Sequence, residues 1–551
     1  MLRRFWLTAL LILGYLAVAF YLVFLSRNKL TPDAAAYVQL ARHYAHGELG
    51  LVVNSWWSPL YSWLLVPLVW AGVEIILAAK ILAVFLGLGF ACGVRRLVRE
   101  ALGGPYLHLS FAAALLLALP MLPTLVTPDL LLAALLAWYF ALSFPLLRRD
   151  SFPAALAAGA LGGLAFLAKA YAWPFVAAHL ALTFCLRRWL VRRNLAQGRV
   201  WPLWLAAVAG LVIVSSPWIA IISVHEKALT ISSAARHDCL ECLATPCPVP
   251  EVRPPWVLQR PRPGRLLAWE NPTEDAGWPP LWSPWDSAAA LKCQAATLAG
   301  NLLTTWKILK SWDSFGLLAA GLCLGVLLLA FRPGFSAGGR GTFLLWAYGS
   351  IIIYVLGYAL IVTEDRFLWP VAALLLALFL AGLAILKTGC HTLSRRAVSP
   401  GKVCVQTAHL APITLAAALL LSLGLHAIAV VQDWRGPCGR GAEADWIRQS
   451  ARQFDSGDPV AVNLDGSSLG LAAAFWTGRE FLGVSTADSA ATLAHDLAPF
   501  GRTEFLVYDD PPLADRLDAD PSFRRIGASL NPRSGRRLWA FQSTVARASC
   551  P

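Results

Sequence analysis

Charge is scarce in this sequence. Asp, Glu, Lys and Arg make up 14% of its 551 residues, while 58% are hydrophobic. A soluble globular chain carries about 25% charged residues. That shortfall, with apolar runs recurring along the chain, excludes an ordinary soluble protein and points to a polytopic membrane protein. Phosphate-binding glycine loops are missing too. Neither a G-x-x-x-x-G-K-[ST] stretch nor a G-x-G-x-x-G fingerprint occurs, so the usual sequence support for nucleotide chemistry is absent. No low-complexity run is present, and no internal repeat beyond two short Thr-Pro-Asp matches. The first apolar run, 5–25, follows Arg3 and Arg4. It spans about 20 residues and lacks a small-residue cleavage site, so it reads as a retained first transmembrane helix.

Tryptophan and basic charge are what the chain does have, with 24 Trp and a net charge of +14. Trp favours membrane interfaces and sugar-binding surfaces. Most of the basic residues sit in short clusters between apolar runs. That placement argues for loop charges orienting a membrane protein and against a nucleic-acid partner. Candidate spans fall near 5–25, 74–94, 106–123, 130–147, 153–168, 171–186, 201–223, 315–331, 342–362, 367–387 and 411–431. Alternation across these eleven segments puts all the basic clusters on one side: Arg3/Arg4, Arg95/Arg96/Arg99, Arg148/Arg149, Arg187/Arg188/Arg192/Arg193, Arg332/Arg340 and Arg395/Arg396/Lys402. The positive-inside rule makes that side cytoplasmic. The expected product is an inner-membrane protein with a cytoplasmic N-terminus.

Every long non-membrane segment then lies outside. The expected division is a transmembrane part, 1–432, and an extracytoplasmic domain, 433–551. Loop 26–73 follows the first span, and loop 224–314 is rich in Pro, Trp and Cys. Proline at that density disfavours long helices, which leaves either a pinned cover over the membrane face or an acceptor-binding lid whose tryptophans stack on sugar rings. Cys239, Cys242, Cys247, Cys293, Cys438 and Cys550 are all external, and an oxidising outside suits disulfides. A zinc site on His237, Cys239 and Cys242 is the alternative. In the tail, "DPVAVNL", "EFLGV" and "TEFLVYDD" read as strands, with "SSLGLAAAFWTG" and "SAATLAHDLAPF" as helices between them. That alternation predicts a small α/β domain with a partly parallel sheet. Asp509 and Asp510 end a strand, where a solvated turn before "PP" is the simpler reading.

The two "TPD" stretches, 31–33 and 127–129, are good helix starts, with Thr as cap, Pro in the first turn and Asp at the positive end of the dipole. A plain cap accounts for both. After Asp33, however, Tyr37, Leu40, Ala41 and Tyr44 share its helical face, while Arg42, His43 and His46 lie largely off it. The spacing predicts an amphipathic helix at the interface with its carboxylate turned inward. "NSWWSPLYSWLLVPL" suits a second interfacial or half-inserted helix. Asp129 begins the fourth span, Lys169 sits at a turn between two spans, and Glu364, Asp365 and Arg366 sit at the mouth of the tenth. A cation at membrane depth is costly and usually functional; the alternative is a snorkelling anchor. Tyr37, Trp57, Tyr61, Glu364 and Asp365 complete the candidate site as substrate contacts.

In order and sidedness, "PDAAAYVQLARHYAHG", "WWSPLYSWLL", "TPDLLLAALLAWYFAL", "GLAFLAKAYAWPF" and "EDRFLWP" resemble the C-type glycosyltransferase (GT-C) superfamily. The branch they look like contains protein O-mannosyltransferases and lipid A aminoarabinose transferases. The resemblance implies a GT-C-like helical membrane fold. It implies transfer of a sugar, with inversion, from a polyprenyl-phosphate donor to an extracytoplasmic lipid, glycan or protein. Asp33 takes the catalytic acidic position, Asp129 matches the second acidic motif, and Lys169 and Arg366 match positions that meet the donor phosphate. The family often has a second acid beside the first; here that place is Ala34. External carboxylates leave room for a divalent metal, although no spacing defines its ligands. The rival class is a transporter or flippase of a lipid-linked or amphiphilic solute.

Overall fold

A computed structural model describes residues 2–124, 126–234, 258–275, 283–312, 339–396, 402–463 and 466–544. Among the described residues, eight helices are long and apolar enough to cross a membrane: Phe5–Ser26, Ile75–Leu102, Asp129–Leu147, Ala172–Arg192, Trp201–His225, Gly341–Ala359, Asp365–Ile385 and Pro412–Trp434. Two further expected spans are shorter apolar helices, Leu107–Pro123 and Phe152–Ala168. The one near 315–331 lies outside the described residues. Eight of the eleven expected spans therefore reach crossing length among the described residues. The chain is a polytopic helical membrane protein with a small C-terminal sheet domain.

Phe152–Ala168 has 17 residues, the lower limit of roughly 17–25 for a span. It packs tightly along Trp201–His225. A Cβ at Gly159 would collide with the Ala207 backbone, and one at Gly163 would press on Val214. Glycine here lets two backbones approach where lipid supplies no hydrophobic drive for association.

Among the described residues, the basic clusters at 95–99, 148–149 and 187–193 lie together at one end of the bundle. Glu100 bridges Arg96 at 2.8 Å and Arg149 at 2.9 Å, and Arg148 donates to Thr342 Oγ1 at 3.0 Å. The buried Arg187 binds Asp150 and the carbonyls of Arg149 and Arg199. Asp129 and Lys169 lie at the other ends of the helices that lead to Arg148 and Arg187.

The helix Pro32–His46 starts as its sequence dictates. Thr31 caps it by accepting the Ala34 N–H at 3.4 Å, and Pro32 occupies the first turn. Gly47 ends it in the left-handed region at φ 75°, where glycine is favoured. The expected amphipathic pattern is only half right. Gln39 and His43 are buried along with the apolar face, because the 224–314 loop and the sheet domain cover the side expected to face water. His43 meets Glu48 at 2.5 Å and Glu270 at 2.9 Å. The second interfacial helix is Leu60–Trp70, with Pro59 at its N-cap.

In the sheet domain, β1 (Val460–Asn463), β2 (Phe481–Ser485) and β3 (Glu504–Tyr508) are the three expected strands. Helices Ser467–Thr477 and Ala490–Leu497 connect them as expected. β4 (Phe523–Leu530) and β5 (Arg537–Ser543) add a hairpin that the sequence reading did not assign. The order is β2-β1-β3-β5-β4, parallel across β2-β1-β3 and antiparallel beyond. Asp510 caps Pro511–Asp518 and Asp509 pairs with Arg536 at 3.2 Å, so this doublet is turn chemistry.

The 224–314 loop departs from expectation. It contains a 24-residue helix, Ala288–Ser311, capped by Ser287. The prolines stop at Pro284, and nothing after it breaks the helix. The loop also pairs with the sheet: Phe481 N–H donates to Leu266 O at 2.8 Å and Gln259 N–H to Leu482 O at 2.6 Å. Cys293 is disulfide-bonded, whereas Cys438 is a free, exposed thiol. The zinc alternative on His237, Cys239 and Cys242 lies outside the described residues.

Candidate active site

Asp33 lies in the first turn of its helix with its side chain 22% exposed. Its Oδ2 accepts from Arg366 Nη1 at 2.7 Å, and its Oδ1 from the Trp269 indole at 3.3 Å. Arg366 stands on a short helical turn, Asp365–Leu368, that leads into a long helix. Its Nε donates to Glu364 at 2.7 Å.

Asp129 opens its own helix and is almost completely buried, at 1% exposure. Lys169 Nζ donates to Oδ1 and Thr127 Oγ1 to Oδ2, both at 2.6 Å. Thr127 therefore does not cap as Thr31 does; its hydroxyl turns to the carboxylate two residues on. Lys169 leaves the helix Phe152–Ala168 with extended backbone, which swings its side chain toward Asp129. Its ammonium lies 3.6 Å from the Phe367 ring centroid, a cation–π contact. Burial is the larger influence on Lys169 and holds its pKa below the usual lysine value, although Asp129 pulls it upward.

The two ion pairs share one cavity of about 390 Å³. Tyr37, Trp57 and Glu364 also line it, as do Trp56, Trp269 and Phe367. Part of its wall is apolar, from Pro174, Ile231, Ile361 and Val362. Such a space can hold a charged headgroup at one end and a hydrocarbon segment at the other.

No family model matches the chain, and no curated protein matches it by sequence. Solved structures do match. ArnT from Cupriavidus metallidurans bound to undecaprenyl phosphate aligns at TM-score 0.55 and 16% identity, over 99% of both chains. Its apo state aligns at 0.54 and 16%, over 98% of both. The chain has the GT-C fold. The oligosaccharyltransferase AglB from Archaeoglobus fulgidus also aligns, at TM-score 0.48 and 12% identity, over 100% of this chain and 75% of that one.

Within this GT-C fold, seven of the nine residues expected from the sequence line the cavity: Asp33, Tyr37, Trp57, Asp129, Lys169, Glu364 and Arg366. Tyr61 does not. It is buried behind Tyr37, with ring centroids 5.7 Å apart. Asp365 points away and accepts from the indoles of Trp312 at 2.5 Å and Trp369 at 3.2 Å. It borders a more open recess on the other side of the Asp33–Arg366 pair, beside Arg440. Among the described residues no group of three or more His, Cys, Asp or Glu side chains forms a metal cradle.

Sequence reasoning missed Trp269, Thr127, Phe367 and the support around them. Trp269 stood in a loop flagged for its tryptophans, but nothing local singles out one of them. Asn54 is a second omission. Its Oδ1 accepts the N–H groups of Trp56 at 2.7 Å and Trp57 at 2.9 Å, which fixes the turn that aims both indoles.

Proposed function

We propose that the protein is an integral membrane glycosyltransferase that moves a sugar from a polyprenyl-phosphate donor to an extracytoplasmic acceptor, with inversion. One observation carries this reading. A partly exposed carboxylate, Asp33, meets Arg366 in a cavity that also contains Lys169 and an apolar wall. The fold supports it, since ArnT of the same fold binds undecaprenyl phosphate. Charge in the sequence supports the sidedness: alternation of the spans puts the basic clusters in one set of connections, and the positive-inside rule assigns that set to the cytoplasm. The N-terminus is then cytoplasmic, and the domain 433–551 sits outside the inner membrane above the transmembrane part, 1–432.

In the reaction, the acceptor hydroxyl oxygen attacks the anomeric carbon while its proton passes to Asp33, the general base. The bond from that carbon to the phosphate oxygen breaks, and polyprenyl phosphate leaves. Arg366 and Lys169 stabilise the negative charge gathering on that phosphate. Asp129 orients Lys169. Tyr37, Trp57 and Glu364 contact the sugar or headgroup. Arg366 pairs with Asp33, and an arriving phosphate draws the guanidinium toward itself and releases the base.

The test is Asp33→Asn, assayed with a polyprenyl-phosphate sugar and mass-spectrometric detection of the glycosylated product. The expected loss is about 10³-fold, within the usual range for removing a general base, with expression and folding kept. Full activity of the variant would overturn the role of Asp33. Movement of solute without cleavage of the glycosyl–phosphate bond would instead show a transporter.

A further inference from the structure

Trp269 is 236 residues from Asp33 in the chain, yet its indole N–H reaches that carboxylate. The ring sits edge-on to Trp56 and Trp57, with centroids 5.7 Å away in both cases. Its backbone is tied down on each side. The Trp269 carbonyl accepts from Trp57 Nε1 at 2.9 Å, and the Glu270 carbonyl from Asn54 Nδ2 at 2.6 Å. Beneath it lies the fully buried Glu270 carboxylate. Oε1 of Glu270 accepts the N–H groups of Leu266 at 2.9 Å and Leu267 at 3.0 Å, and Oε2 meets His43 Nε2 at 2.9 Å.

Burying a carboxylate is expensive unless every oxygen is partnered. Here the partners close one short turn, Ala268–Glu270, and that turn fixes where the indole points. Ring packing alone would be indifferent to which edge of the indole faces Asp33. The carboxylate has about four acceptor positions. Arg366 takes one on Oδ2 and Trp269 one on Oδ1. Two donors on different oxygens fix the carboxylate plane, and acceptor positions remain for a substrate hydroxyl when Arg366 moves to a phosphate.

We propose that Trp269 is the positioning residue of Asp33, anchoring Oδ1 of the carboxylate after Arg366 has been drawn away by the donor phosphate. This rests on Asp33 being the general base, so the experiment has one arm that does not need activity. Trp269→Phe keeps an aromatic ring and deletes the N–H; Trp269→His returns a ring N–H. In the first arm, the full-length protein in detergent is treated with a hydrophobic carbodiimide at one fixed pH, and labelling of the Asp33 peptide is followed by mass spectrometry. Loss of the N–H loosens the carboxylate, and labelling speeds up by about threefold or more in Trp269→Phe. Asp129, Lys169, Glu364 and Arg366 are unaltered, and labelling at Asp129 serves as the internal control. Trp269→His moves the rate back toward wild type.

In the second arm, Trp269→Phe lowers kcat by about three- to tenfold with KM within about twofold, because the loss falls on alignment rather than binding. An unchanged Asp33 labelling rate in Trp269→Phe overturns the proposal. So does an equal increase at Asp129, which reports general loosening. A changed labelling rate in a protein whose wild type transfers no sugar overturns the glycosyltransferase reading and leaves the Trp269–Asp33 coupling standing.

Discussion

Two carboxylates begin from the same tripeptide and end in different surroundings. Asp129 is 1% exposed, and its partners are the nearby Thr127 and Lys169, both at 2.6 Å. The Asp33 side chain is 22% exposed, and its partners, Trp269 and Arg366, come from 236 and 333 residues away. Thr31 caps a helix, while the equivalent Thr127 donates to its own aspartate. The tripeptide therefore encodes a helix start and little more. What the acid does is set by what tertiary structure delivers to it. A carboxylate as buried as Asp129, with all bonds short, holds its lysine in place, because loosening it exposes a charge to an apolar interior. An acid that is partly exposed, with one long bond and one exchangeable cation, can change partners during a reaction.

The sharpest way to break this contrast is to remove each cation in turn. Lys169→Met leaves Asp129 buried beside an apolar chain, and the expected loss of stability is about 3–5 kcal/mol. The double variant Asp129→Asn, Lys169→Met should recover more than half of it. Arg366→Met leaves Asp33 partly in water and still bonded to Trp269, so the expected loss is about 1 kcal/mol or less. Denaturant titration in detergent micelles measures all three. Equal losses at Lys169 and Arg366 would show that the two carboxylates do not differ in how far they depend on their cations.

A smaller effect concerns the layer between the pairs and the sheet domain. Burial opposes the charged form of His43, but its hydrogen bonds and charge contacts with Glu270 and Glu48 outweigh burial and raise its pKa. A raised folded-state pKa means the folded protein holds the proton more tightly than the unfolded chain. The stabilisation is full below the ordinary histidine value of about 6.5 and is lost as pH climbs through the raised value. It should amount to roughly 1–2 kcal/mol. The melting midpoint of wild type minus that of His43→Gln, followed from pH 6 to pH 9 as roughly bracketing that window, should shrink with rising pH. A difference that grows with pH would reverse the sign assigned to this contact.

What could be read from the sequence divides along the same line. Apolar length located every span that lies among the described residues, because a bilayer demands it. The three parallel strands and their two helices were legible through alternation alone. Thr31, Pro32 and Gly47 announce one helix from start to end. The charges at Asp33, Asp129, Lys169 and Arg366, which line one cavity, stand out in the sequence because charge is rare beside membrane. Trp269 and Asn54 do not, since indoles and amides are cheap to place at an interface and many occur there. His43 was assigned to the wet face because helical period describes one helix and says nothing of the loop that covers it. β4 carries Arg524 and Arg525 side by side, which blurs its strand pattern.

The smallest expected effect tests the border of the site. Tyr61 is among the substrate contacts expected from the sequence. In the fold its ring lies behind Tyr37 and does not reach the cavity. Tyr61→Phe keeps that ring and removes only the hydroxyl. Sugar transfer should stay within about twofold of wild type in both kcat and KM, since no transition-state contact is removed. Tyr37→Phe, made in parallel, alters a side chain that lines the cavity wall, and there KM should rise by about threefold or more. If Tyr61→Phe raises KM as much as Tyr37→Phe, the cavity wall extends one aromatic layer deeper than the fold places it. The contrast between Asp33 and Asp129 would then have to be redrawn around a larger site.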